Sequence, residues 1–238
     1  MATGPWDDLI SLSEIKSAPP APSIRVTKEG EVWTPEANRG MVLENLVIVA
    51  NTQYDAEGRG LITKQEVKWK VEGYDYKTRK ARRVYPAEKS TVDWTGGYVD
   101  RFATGLLLSV AFETKESNDE TYWDIGEKQL KPHQLDFLIA QKRQNGLAFL
   151  LVWSAVHDRC YLVDPDWVAK IRSTVSRYAK KKGCALKEPQ YRSTIRWDEL
   201  DQALGKHAWI VPWRMGFPDY FEVIDALRRG SLPEQLSG

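Results

Sequence analysis

Two cysteines, Cys160 and Cys184, are all that 238 residues contain. They are too few for a disulfide framework, and neither stands in a metal-ligand spacing. Of the three histidines, His133 has no second His or Cys beside it and reads as a helix-start residue. His157 and His207 fall in expected loops and are assigned no role. No uninterrupted apolar run approaches the roughly 18 residues that would span a bilayer, so no membrane association is expected. The start, MATGPWDDLI, lacks a basic cluster followed by an apolar core, and no signal peptide is read from it. A reducing cytoplasm fits these absences. Net charge is nearly absent too, at +1.

What is present describes an ordinary globular chain, with 42% apolar and 28% charged residues. Its length favours one domain over two. The charge is unevenly spread. Lys64 to Lys89 holds nine Lys/Arg against four Asp/Glu, and Lys170 to Arg196 holds nine against one. Between them, Glu113 to Glu127 holds six acids and one base. Two basic stretches flanking an acidic one suit a polyanion held around a metal-binding centre. Solvated helix faces are the alternative source of such runs, and Asp119, Glu120 and Asp124 fit a plain acidic loop.

Residues 1 to 36 carry five prolines and read as a mostly irregular arm, leaving 37 to 238 as the domain. Asn38 to Asn51 is expected to be helical, with Leu43, Leu46, Val47 and Ala50 on one face. In Glu66 to Glu72, Val67, Trp69 and Val71 alternate with Lys68 and Lys70, a strand with one basic side. Ala81 to Ala87 would return as the second strand of a hairpin inserted over 64 to 89. A strand over Leu106 to Lys115 follows. Helices are expected over Pro132 to Asn145, stopped by Gly146, and from Asp164 as N-cap to Gly183, with Val168, Ile171, Val175 and Tyr178 inward. Leu147 to Val156 and Cys160 to Val163 read as central strands, and Pro218 to Arg229 as a closing amphipathic helix. This order suggests an α/β fold, a mixed sheet flanked by helices. Trp153, Trp167 and Trp209 are candidate core residues, while Trp69 and Trp94 could instead stack on exposed bases.

The chemistry centres on Phe112-Glu113-Thr114-Lys115. On a strand, Glu113 and Lys115 project to one face, about 7 Å apart at their Cα atoms. Thr114 turns away and leaves its carbonyl available to a cation. Asp93 lies upstream, before a Gly96-Gly97 turn that could set its carboxylate opposite Glu113. Two carboxylates and a carbonyl make a hard oxygen site suited to Mg²⁺ or Mn²⁺. Lys115 could orient a water or neutralise charge developing on a phosphate. An exposed strand with a Glu/Lys pair is the plain alternative, but charges ending so apolar a strand as Leu106 to Phe112 favour a functional site.

In order along the chain stand Asn38-Arg39-Gly40-Met41-x-Leu43-Glu44, Asn51, Ser90-Thr91-x-Asp93-Trp94-x-Gly96, Phe112-Glu113-x-Lys115-Glu116 and His133-Gln134. Together with Arg192-Ser193-Thr194-Ile195-Arg196, they resemble the RecU family of Holliday junction resolvases, within the PD-(D/E)xK nucleases. The resemblance covers roughly residues 37 to 225. It implies a restriction-endonuclease-like core, a homodimer, Mg²⁺ or Mn²⁺ catalysis, and paired nicks across a four-way DNA junction in a bacterial or phage-infected cell. Asp93 and Glu113 would be metal ligands, Glu44 would complete the carboxylate set, Lys115 would be the catalytic lysine, and Gln134 would orient water or phosphate. The 64–89 hairpin falls where the family has a basic stalk. Arg39, Lys68, Lys70, Lys77, Arg79, Lys80, Arg82, Arg83, Lys180, Lys181, Lys182 and Arg192 are then candidate DNA contacts. Host recombination proteins are possible further partners. The chain departs from the family in a longer Asp93-to-Glu113 interval, with Ala103 to Ser109 looking inserted. It also has Lys64-Gln65-Glu66-Val67 in the stalk and Thr114 in place of a small alanine. Other nucleases of the same fold, or a non-catalytic junction binder, are the competing readings; the intact Asp93, Glu113, Lys115 set argues against the last.

Overall fold

A computed structural model describes residues 25–26, 32–33, 41–65, 69–75, 80–86, 92–102, 105–174 and 191–230. The chain divides into two units, residues 1–39 and 40–238. In the first, β1 (Arg25–Val26) pairs antiparallel with β2 (Val32–Trp33); the rest of the arm expected to be mostly irregular lies outside the described residues.

The second unit opens with α1 (Met41–Ala56), followed by β3 (Gly60–Lys64). Leu43, Val47, Ala50 and Tyr54 recur at helical spacing and are buried, so the helix runs further than the expected Asn51. Gly58, at φ 63°, ends it in a left-handed cap. The strands β4 (Trp69–Asp75) and β5 (Lys80–Pro86) pair antiparallel as a separate two-stranded sheet, from Trp69↔Pro86 to Asp75↔Lys80.

Next come β6 (Trp94–Asp100), β7 (Leu106–Ser117), β8 (Tyr122–Asp124), α2 (Pro132–Arg143), β9 (Leu147–Ser154), β10 (Arg159–Val163) and α3 (Pro165–Arg172). The chain continues through β11 (Thr194–Arg196), α4 (Trp197–Gln202), β12 (Ala208–Val211), β13 (Trp213–Arg214), β14 (Phe217–Pro218) and α5 (Tyr220–Arg229). Six strands form one mixed sheet in the order β12-β10-β9-β7-β6-β3; β7 and β9 are parallel, connected through α2, and the other neighbours are antiparallel. Side chains alternate across it. One face packs Val110, Phe112 and Phe149 with residues of α1 and α5; the other packs Ala111, Leu150 and Val152 with residues of α2, α3 and α4. The expected mixed sheet between helices is the observed one.

Several local expectations change. Gly96 and Gly97 form no turn but lie inside β6, because the neighbouring strand comes so near. A Cβ on Gly96 would meet Leu61 O at 2.0 Å. The long Asp93-to-Glu113 interval is a lengthened β6–β7 hairpin, paired from Trp94↔Phe112 to Asp100↔Leu106. At the end of α2 the left-handed residue is Asn145, φ 60°, rather than Gly146. Helix α3 ends at Arg172 with Ser173 as cap; the remainder of the helix expected to Gly183, with Val175 and Tyr178, lies outside the described residues. Pro218 belongs to β14, and α5 starts after Asp219, whose carboxylate accepts from Glu222 N–H. Trp94 is 1% exposed and stacks at 10° on Phe112, so it is core and not a base platform. Trp153, Trp167 and Trp209 only half-cover the core margins.

Candidate active site

Phe112 is clamped in an aromatic layer, stacked at 5.9 Å on Trp94 and at 4.8 Å on Phe149, with Tyr220 tilted against it. That layer fixes the rotational setting of β7. With Phe112 turned into the α1/α5 side, Glu113 must turn to the α2 side, and Thr114 back again. Thr114 Oγ1 duly accepts from the indole of Trp94 at 3.3 Å. Lys115 returns to the face of Glu113, and its Nζ donates to Glu113 Oε1 at 2.8 Å. The pair predicted from strand period is therefore made.

Glu113 is 1% exposed. Its Oε1 also accepts from Gln134 Nε2 at 2.6 Å, and its Oε2 from the backbone N–H of Asp93 at 2.9 Å. Gln134 sits in the first turn of α2, and its Oε1 accepts from Lys131 N–H at 3.0 Å, so its amide is oriented at both ends. Asp93 immediately precedes β6, and its carbonyl accepts from Gln65 N–H at 2.6 Å, tying the ends of β3, β6 and β7 together. Burial is the largest influence on Glu113 and pushes its carboxyl up to about 7 against the pull of Lys115, with the nearby Asp93 charge adding to the rise.

Glu44, on α1, faces the end of β3, where Lys64 lies opposite Trp94 in the ladder. It forms an ion pair with Lys64, whose Nζ lies 5.8 Å from the Trp94 ring centroid. No three His, Cys, Asp or Glu side chains converge on a cation position among the described residues. The donor chemistry still fits a hard cation at the Asp93–Glu113 end. A carboxylate whose ionisation is opposed by burial and by the nearby Asp93 charge is one that a divalent charge would stabilise in ionised form. In the sequence Lys64 is simply the first residue of a basic stretch. Its pairing with Glu44 carries no local sequence signal, since it joins a helix to a strand 20 residues on.

Of the expected DNA contacts, Arg39, Lys68, Lys77, Arg79, Lys180, Lys181 and Lys182 lie outside the described residues. Lys70, Lys80, Arg82 and Arg83 lie on the β4–β5 pair, with Lys70 opposite Tyr85, Lys80 opposite Asp75 and Arg83 opposite Glu72. Arg192 is committed locally, donating to Thr194 O at 3.0 Å and to Glu199 Oε2 at 2.5 Å. Asp119 and Asp124 accept backbone N–H groups of their own loop, at Thr121 and Gly126, as a plain acidic loop would. Asn51 is buried, accepting from Tyr220 O–H, so it joins α1 to α5.

A family model described as recombination protein U matches residues 38–193, well over half the chain. The chain belongs to the RecU family. Among curated relatives, a Holliday junction resolvase RecU of Shouchella clausii is 27% identical over 151 residues, covering 60% of this chain and 69% of the relative. The protein of the same name from Bacillus licheniformis is 25% identical over 202 residues, covering 80% and 85%. That from Ligilactobacillus salivarius is 26% identical over 136 residues, covering 56% and 60%. The matched span contains Asp93, Glu113, Lys115 and Gln134.

Proposed function

We propose that the chain is a divalent-cation-dependent endonuclease that resolves four-way DNA junctions. The observation that carries this reading is the Glu113 carboxylate, buried at the end of β7 with Lys115, Gln134 and the Asp93 amide all directed at it, inside the span that matches RecU. Asp93, Glu113 and the Thr114 carbonyl would hold Mg²⁺ or Mn²⁺, which polarises a phosphate and acidifies a water when bound. Glu44, whose Oε2 pairs with Lys64, would complete the carboxylate set. The protein's own groups do the rest. Lys115 Nζ stands on the Glu113 side of the strand and supplies positive charge where a phosphodiester gains negative charge in the transition state. Gln134, fixed by the start of α2, holds the Glu113 carboxylate in its setting. A water oxygen bonds to phosphorus, one bridging P–O bond breaks, and the released oxygen takes up a proton. Resolution of a junction with two-fold symmetry needs two such nicks, so one centre per chain implies an isologous homodimer. The setting expected for it is the cytoplasm.

The test is cleavage of a synthetic four-way junction beside a linear duplex of equal length, with and without Mg²⁺. Paired nicks in the junction, dependent on Mg²⁺ and absent in Asp93→Asn, are expected. Equal cutting of duplex and junction would favour another nuclease of this fold. Wild-type activity of Asp93→Asn would remove the site.

A further inference from the structure

Helix α1 lacks charge on the side that faces away from the core. Of its sixteen residues only Glu44 and Asp55 are charged, and Leu43, Val47, Ala50 and Tyr54 are buried along the inner side. On the opposite side, Val42, Asn45, Val49, Thr52 and Ala56 follow one another in alternating steps of three and four residues. All five are exposed, Val49 at 52%, with Ile48 at 46% on their flank. A surface helix ordinarily turns charged residues outward. This one presents an uncharged stripe about 21 Å long, at the spacing by which one helix packs against another.

The chemistry of the stripe narrows its occupant. It holds no Lys or Arg, so it has nothing to offer a phosphate backbone. The outer side of a helix is convex and encloses no small ligand. Its spacing calls instead for a second helix with an equally uncharged seam, and a second copy of this chain carries one. Resolution of a junction needs an isologous pair, and in such a pair the patch on the two-fold axis meets itself. Asn45 stands within the seam as its one amide, and a polar residue at such a position fixes register, because other alignments leave it without a hydrogen-bonding partner.

We propose that two copies of this chain pair through α1, the outer stripe of one packed against the same stripe of the other. The inference rests on the nuclease reading and assigns a face to the pair that reading requires. Helix α1 also carries Glu44 toward the end of β3. A pair built on α1 therefore sets the spacing of the two cleavage centres through that helix.

The experiment follows the mass of the full chain by light scattering at micromolar concentration. Circular dichroism reports folding, and gels report cleavage of a synthetic four-way junction in Mg²⁺. Wild type should show twice the chain mass. Val49→Lys removes no core contact but sets two ammonium groups in the seam. It should raise the dimer dissociation constant about a hundredfold or more, leave the helix signal unchanged, and nick the junction without pairing the nicks. Leu107→Lys is the control. Leu107 is 67% exposed and shares the sheet face of Ala111, away from α1, so that variant should stay dimeric. A Val49→Lys chain that remains dimeric, or that loses thermal stability with no change in mass, would overturn the α1 face and leave the nuclease reading standing. A monomeric wild type that still resolves junctions would overturn the α1 face as well. A wild type that neither pairs nor cuts would overturn both.

Discussion

Gln134 donates from Nε2 to Glu113 Oε1 at 2.6 Å while its Oε1 accepts from Lys131 N–H at 3.0 Å. One side chain thus caps a helix start and holds the carboxylate on the neighbouring strand. Helix α2 is the connection between the parallel strands β7 and β9, so the fold's crossover delivers this amide to Glu113.

Removing the amide should weaken catalysis without erasing it. Gln134→Ala is expected to lower kcat by about 10- to 100-fold, the usual range for a residue that orients a ligand rather than reacting. It should also move the rise of activity to higher pH, because a lost donor leaves the ionised Glu113 less favoured. A merely structural role would leave the pH profile in place. A pH–rate comparison against wild type decides between the two.

The raised carboxyl of Glu113 makes stability depend on pH. In the folded chain it keeps its proton to about 7, against 4.5 when unfolded. Between these values the native state binds more protons, so stability falls as pH rises through that window. The loss should be on the order of 3 kcal/mol between pH 4 and 8 in EDTA. Urea unfolding at several pH values should show this slope in wild type and much less of it in Glu113→Gln. Added Mg²⁺ should restore wild-type stability at pH 8 and leave the variant unmoved. A flat wild-type profile would mean that Glu113 ionises freely.

Strand period was enough to place Glu113 and Lys115 together, because a two-residue repeat needs no tertiary information. The helix stripe of α1 was legible for the same reason, and Tyr54 extended it by one more turn. The Gly96-Gly97 pair misled because adjacent glycines signal a turn locally. Their actual cause is the backbone of Leu61, 35 residues upstream, lying against Gly96. Trp94 likewise looked free for a base until β6 placed it on Phe112. Gln134 entered only through the family resemblance, because its bond to Glu113 spans 21 residues and exists only in the fold.

The close approach at Gly96 can be measured. Gly96→Ala puts a methyl group 2.0 Å from Leu61 O and 2.8 Å from Ile62 Cα, both backbone atoms that yield only if β3 moves. The expected cost is at least about 3 kcal/mol, the upper range for overpacking. Gly105→Ala, with no atom near its Cβ but φ at 73°, should cost only about 1 kcal/mol from backbone strain. Chemical denaturation of the two variants should separate them; similar costs would show β3 to be loosely held.

The basic hairpin offers the sharpest distinction between a junction enzyme and a general nuclease. Lys64 to Lys89 carries nine basic residues against four acidic ones, and its centre is the antiparallel pair β4–β5, outside the six-stranded sheet. If that pair enters a junction, its cations neutralise phosphates that converge only where four strands cross. The stretch from Lys170 to Lys182 would instead meet ordinary duplex arms, a sequence-independent attraction that weakens with salt. Replacing Lys77, Arg79, Lys80, Arg82 and Arg83 with Ala should therefore cost junction affinity far more than duplex affinity. Replacing Lys180, Lys181 and Lys182 should weaken both by similar factors. Titrations of both variants on both DNAs at one fixed salt concentration measure the difference. Equal losses from the hairpin variant would reduce β4–β5 to a charged surface, and specificity for the junction would have to come from the way two active centres are spaced.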